Sequence, residues 1–161
     1  MGINLFGNLG INLMDAARGA LYALPPLAGF IALTLPRAKN LPVIGPLRKV
    51  VLTDIKMLFA QSRNIDLVLI SLIAGIAEET AFRGVLQVKT GIIAASVIFG
   101  LLHFITPGYF AFATIMGLYL GALFSHYGGL AVPAAAHAVY DMGALLYLKH
   151  FAVYDEAENQ K

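Results

Sequence analysis

Cysteine is absent from the chain. That excludes disulfides, thiolate-bound metals and a cysteine nucleophile, and it leaves the compartment open. Charge is scarce: Asp, Glu, Lys and Arg make up 12% of 161 residues, about half the roughly 25% of ordinary soluble domains. A net charge of +2, with no Lys/Arg cluster interleaved with aromatics, excludes a nucleic-acid partner. The alternation expected of an outer-membrane barrel is missing. No internal repeat or long linker divides the chain, so residues 1–161 read as one membrane domain. The N-terminal "MGINLFGNLGINLMDAARG" lacks a basic n-region and a cleavage site, so no signal peptide is expected. Phe6 stands where a myristoylation signal needs Ser or Thr, and no CaaX box is present.

What is present is apolar. The hydrophobic share is 59% and the mean hydropathy +0.78, which points to an all-α, polytopic membrane bundle. The expectation is about five transmembrane helices plus one amphipathic interfacial helix. The spans are expected at about Gly19–Leu35, kinked by Pro25-Pro26, then Ile65–Val88, Gly91–Ile105, Tyr109–Tyr127 and Leu130–His150. Turns as short as "KTG", "TPG" and "GG" make consecutive helices antiparallel neighbours. Residues 36–64 carry Arg37, Lys39, Arg48, Lys49, Lys56 and Arg63, which makes this connection cytoplasmic by the positive-inside rule. Within it, "PLRKVVLTDIKMLFAQSR" reads as a surface helix opened by Pro46. Gly117 and Gly121 form a GxxxG that permits close packing. The tail "DEAENQK" reads as polar and frayed. The chain is expected to lie in a cell membrane as a multi-pass protein, of bacterial inner-membrane type.

Against this background, "AGIAEETAFRGVLQ" places Glu78, Glu79 and Arg83 in one apolar helix, where charges are costly and mark function or pairing. Glu79 and Arg83 are i,i+4 and can pair, which is also what a purely structural ion pair looks like. Glu78 points about 100° away and has no partner on its own helix. His103, His126, His137 and Asp141 are the other polar candidates in the apolar stretches, and His137 and Asp141 share a helix face. His126, at a helix end beside "YGG", reads as interfacial. With alternating helix directions, Glu78 lies roughly 20 Å above the cytoplasmic face, and His103 and His137 roughly 18 and 10 Å from the opposite one. In a core about 30 Å thick the three fall within roughly two turns of one level.

The usual nucleophile routes fit poorly: there is no G-x-S-x-G elbow and no H-E-x-x-H, and only Ser71, Ser96 and Ser125 lie within spans. A carboxylate that takes a proton from water, beside two imidazoles, remains. Glu78, His103 and His137 could also ligate a divalent metal such as zinc, so metal-free and metal-dependent hydrolysis both stay open. A non-proteolytic alternative is an immunity or scaffold protein, or a small transporter using the Glu/His set as a proton relay, although no transporter repeat is visible.

"AEETAFRGVLQ" resembles the E-E-x-x-x-R motif of the CPBP (Abi) intramembrane proteases, which include the type II CAAX prenyl endopeptidases. "FGLLH", Phe99 to His103, resembles their F-x-x-x-H motif, and "HAVYD", His137 to Asp141, their H-x-x-x-N/D motif. The resemblance spans residues 65–148. It implies a four-helix catalytic core and hydrolysis of peptide bonds in membrane-associated or lipidated proteins. No cofactor is expected, a divalent metal such as zinc being the alternative. By the same resemblance Glu78 activates water, Glu79 and Arg83 support it, His103 positions the water or assists the base, and His137 with Asp141 binds the oxyanion side. The prenyl endopeptidases carry Asn where this chain has Asp141, and an ionised Asp cannot donate. The chain is also shorter than the eukaryotic prenyl proteases, so recognition of a prenyl group is not carried over.

Overall fold

The computed structural model describes residues 13–153; the N-terminal motif readings at residues 1–12 and the "DEAENQK" tail lie outside the described residues. Those described form six helices and no strand. Helix α1 is Leu13–Thr34, followed by a short 3-10 turn, Pro36–Asn40. Helix α2 covers residues 44–59 and passes through a π-helical stretch, Val51–Ile55. Helix α3 covers residues 64–90 and contains a second π stretch, Thr80–Gln87. Helices α4, α5 and α6 are Ile92–Leu102, Pro107–Tyr127 and Ala131–His150.

Two helices, α1 and α5, are long and apolar enough to cross a membrane by length and composition alone. The surface fits a lipid environment: Leu13, Leu102, Ile93, Ile73 and Ile115 are all large apolar side chains left mostly exposed, where a water-soluble monomer keeps such patches small. Several boundaries differ from the sequence reading. The first helix begins at Leu13 rather than near Gly19, with both prolines inside it. Helix α2 begins at Ile44, which puts Pro46 in its first turn rather than at its start.

The third expected span differs at its C-terminal end. It ends at Leu102 and not near Ile105. The residue before a proline avoids the α region, and Thr106 is extended at φ −140°, ψ 163° ahead of Pro107, capping α5 through Tyr109 N–H. The chain therefore leaves helix α4 before that turn.

Helix α6 is the centre of the bundle, packing along α1 on one side and α3 on another, while α4 packs on α5. Small residues on α6 allow this. A Cβ on Gly75 would meet the Ala134 carbonyl at 2.7 Å and the Ala138 Cβ at 2.8 Å, so α3 and α6 touch backbone to backbone. Glu79 lies one turn beyond Gly75, and His137 lies between Ala134 and Ala138 on the facing helix. That contact sets Glu79 against His137. The Gly117/Gly121 pair is used similarly: Gly117 sits on Ser96, and Gly121 on Gln87 and Ile92. Gln87 Nε2 donates to the Gly121 carbonyl (3.0 Å) and the Ser125 hydroxyl (3.1 Å), fastening α5 to the end of the π stretch.

The basic end of the bundle is tied together by polar contacts. Arg48 Nε donates to the Thr34 carbonyl at 3.0 Å, Thr34 and Tyr147 hydroxyls meet at 2.9 Å, and His150 Nε2 lies 2.9 Å from Asn64 Oδ1. Lys149 donates to the Ser62 carbonyl and Lys56 to the Ala152 carbonyl. At the start of α3, the Arg63 backbone N–H and its Nη2 both donate to the Asp66 carboxylate, at 2.9 and 2.8 Å. These contacts bring the ends of α1, α2 and α6 to the start of α3.

Candidate active site

The site is built where α3 changes from α to π winding. Glu78 and Glu79 are the last α-helical residues, and Arg83 lies within the π stretch. Single π turns are uncommon and recur at functional sites. Glu79 and Arg83 are both fully buried, and Arg83 Nε donates to Glu79 Oε2 at 2.9 Å. The other Glu79 oxygen, Oε1, lies 2.9 Å from His137 Nδ1. A carboxylate only accepts, so Nδ1 donates and the Nε2 edge of His137 faces the opposite way. It faces Asp141 Oδ2 at 3.4 Å and Glu78 Oε2 at 4.0 Å.

Glu78 turns from its neighbour as the 100° step requires. Its Oε2 is buried and accepts no hydrogen bond from the described residues. It lies 3.7 Å from His103 Nε2 and 4.0 Å from His137 Nε2, beyond direct hydrogen-bond length. His103 sits just past the end of α4, at φ −100°, ψ 18°. Its Nδ1 donates to the Phe99 carbonyl at 2.8 Å, which turns Nε2 to Glu78. Its ring stacks on Phe99 at 4.3 Å and 29°.

Phe99 is the residue the sequence reading left out of the site. Besides stacking on His103, it meets His137 edge-on at 6.1 Å and Phe82 at 4.9 Å, and the Arg83 guanidinium lies 5.4 Å from its ring centre. An arginine over an aromatic face recovers part of its lost hydration. The available signal was its place four residues before His103, on the same helix face.

The structure thus brings Glu78, Glu79, Arg83, His103, His137 and Asp141 together across α3, α4 and α6, and it leaves His126 exposed at the end of α5. One expected relationship changes. Glu79 and Arg83 make no hydrogen bond to Glu78; Glu79 grips His137 instead, because the Gly75 contact aims it at α6. Among the described residues no group of three or more His, Asp or Glu side chains is arranged to hold a metal ion.

Glu78, His103, His137 and Asp141 open on a cavity of about 270 Å³. Its remaining walls are apolar and aromatic, from Phe30 on α1, Ile55, Leu58 and Phe59 on α2, Tyr109, Phe112 and Met116 on α5, and Tyr140, Ala144 and Leu148 on α6. Polar groups at one end of an apolar chamber are the usual composition of a site that takes an extended organic substrate. Ala144 and Leu148 follow Asp141 along one face of α6, so the chamber runs from the carboxylates towards the basic end.

Residues 60–143 match the family described as type II CAAX prenyl endopeptidase Rce1-like. A stretch of 89 residues, 53% of this chain, is 35% identical to the uncharacterized protein YpbD of Bacillus subtilis (strain 168). It covers 47% of that protein, so the chain spans about half the length of the curated relative it matches. No solved structure matches the chain.

Proposed function

Because the chain belongs to the Rce1-like family of type II CAAX prenyl endopeptidases, we propose that it is a multi-pass intramembrane endopeptidase in which Glu78 activates water. Its substrates are membrane-associated or lipidated proteins, and the scissile bond enters through the apolar chamber. The observation that carries this reading is the Glu78 Oε2 atom, unpartnered and held 3.7 and 4.0 Å from two imidazole nitrogens at the head of that chamber. A buried carboxylate oxygen without a donor is costly in a purely structural role. It is the arrangement expected of a group whose partner is a reacting water.

In the proposed mechanism the Glu78 carboxylate binds a water beside His103. Glu78 takes one of its protons as the water oxygen bonds to the peptide carbonyl carbon, and the carbonyl electron pair moves onto oxygen. His137 and Asp141 lie on the side of that oxyanion. When the carbon–nitrogen bond breaks, protonated Glu78 returns its proton to the leaving amine. Glu79 and Arg83 touch neither water nor substrate; they hold the His137 ring so that Nε2 faces the reaction. The test is cleavage of a membrane-anchored peptide by the purified protein in liposomes. Wild-type turnover with none from Glu78→Gln supports the reading, and equal turnover by both refutes it.

A further inference from the structure

Hydrolysis of a peptide bond needs a hydrogen-bond donor at the carbonyl oxygen as well as a base. An inventory of the site shows how few donors are free. His103 Nδ1 is committed to the Phe99 carbonyl, and His137 Nδ1 to Glu79. Arg83 Nε is committed to Glu79, and its guanidinium is fully buried and away from the chamber lining. Asp141, when ionised, only accepts. An imidazole Nε2 donates only while its ring is charged, since each Nδ1 already holds a proton.

Two neutral donors line the chamber, the phenols of Tyr109 and Tyr140. Tyr109 stands in the first turn of α5, where its backbone N–H bonds Thr106 Oγ1 at 3.2 Å, and its ring packs beside Phe112 at 6.2 Å. It lines the same chamber as Glu78, His103, His137 and Asp141. Tyr140 is buried, its ring edge-on to Phe30 at 6.1 Å, whereas Tyr109 is only half-buried. The Tyr109 hydroxyl bonds no other described residue and is not sealed in the packing. A tyrosine whose ring is packed and whose hydroxyl has no protein partner is one that presents that hydroxyl to a ligand.

We infer that Tyr109 is a catalytic residue, its hydroxyl donating a hydrogen bond to the substrate carbonyl oxygen as that oxygen gains charge. The inference rests on the endopeptidase reading above. No proton is transferred by Tyr109: the phenol remains neutral, Glu78 carries the water proton to the amine, and the hydrogen bond shortens as the oxyanion forms. This assigns to α5, which carries no residue of the three motif segments, a direct part in the chemistry.

The experiment compares wild type, Glu78→Gln, Tyr109→Phe and the double variant Tyr109→Phe/Asp141→Asn on one membrane-anchored peptide in liposomes, measuring kcat and KM. Tyr109→Phe is expected to lower kcat about 100-fold or more with KM changed less than about threefold, the signature of a lost oxyanion donor. In the double variant the side-chain amide introduced at position 141 supplies a replacement N–H, and kcat is expected to recover at least about tenfold. Tyr109→Phe with wild-type kcat overturns the assignment while leaving the Glu78 mechanism intact. A loss that the second substitution fails to recover also overturns it, since a tyrosine that merely anchored Asp141 would behave so. A wild type that cleaves no peptide overturns both readings together.

Discussion

Glu79 accepts from His137 Nδ1 on one oxygen and from Arg83 Nε on the other, each at 2.9 Å, so one buried carboxylate joins α3 to α6. Removing one member of a buried ion pair leaves an uncompensated charge and costs about 3–5 kcal/mol. Glu79→Gln keeps the volume and removes the charge, so thermal unfolding in detergent should register a loss of that size. A stability change under about 1 kcal/mol would mean that Arg83 and His137 find other partners easily.

Glu78 should behave in the opposite way. Its Oε2 has no partner to lose, so Glu78→Gln should leave the unfolding temperature within the range of an ordinary surface substitution, about 0.5 kcal/mol. Turnover should fall by at least about 100-fold, the lower end of what a general base contributes. Adjacent glutamates with one stability phenotype and one activity phenotype would separate structure from chemistry within a single dipeptide. Loss of folding in Glu78→Gln would count against that division.

Much of this site was legible in the sequence, and the boundary of what was legible is physical. Glu79–Arg83 and His137–Asp141 are i,i+4 pairs, and helix geometry alone places such residues together. Depth along antiparallel helices was compatible with His103, His137 and Glu78 sharing one level, without bringing them into contact. The grip of Glu79 on His137 was not legible, because it depends on how closely α3 and α6 pack, and that is set by Gly75 meeting Ala134. The π stretch from Thr80 was equally hidden: no residue type marks where a helix takes an extra residue per turn. The early end of α4 left His103 off the helix it was expected to occupy.

The Gly75 contact gives a stability prediction with an internal control. Gly75→Ala places a Cβ 2.7 Å from the Ala134 carbonyl and should destabilise by about 1–3 kcal/mol, as overpacking does. It should also lower turnover about tenfold or more, since pushing α3 from α6 shifts His137 against Glu78. Gly29, in α1, has no atom within 4 Å of such a Cβ. Gly29→Ala should be neutral or stabilising by up to about 1 kcal/mol, as in other helix interiors. Equal effects at the two glycines would remove the special status of the α3–α6 contact.

Metal dependence is decided by a chelator. With Glu78 and the imidazoles acting on water alone, turnover in phenanthroline should stay within about twofold of the untreated rate. Loss of activity restored by added zinc would instead make Glu78, His103 and His137 ligands. That outcome would reassign Glu78 from base to metal holder.

Helix α4 has only 11 residues, a rise of about 16 Å against a hydrocarbon layer about 30 Å thick. A span of half the thickness leaves a notch. The residues that follow, His103 to Thr106, leave the helix with Phe104 and Ile105 exposed. The endopeptidase proposed above would then work where the bilayer is locally thin. On that proposal the short helix brings the membrane interface down towards the Glu78 carboxylate.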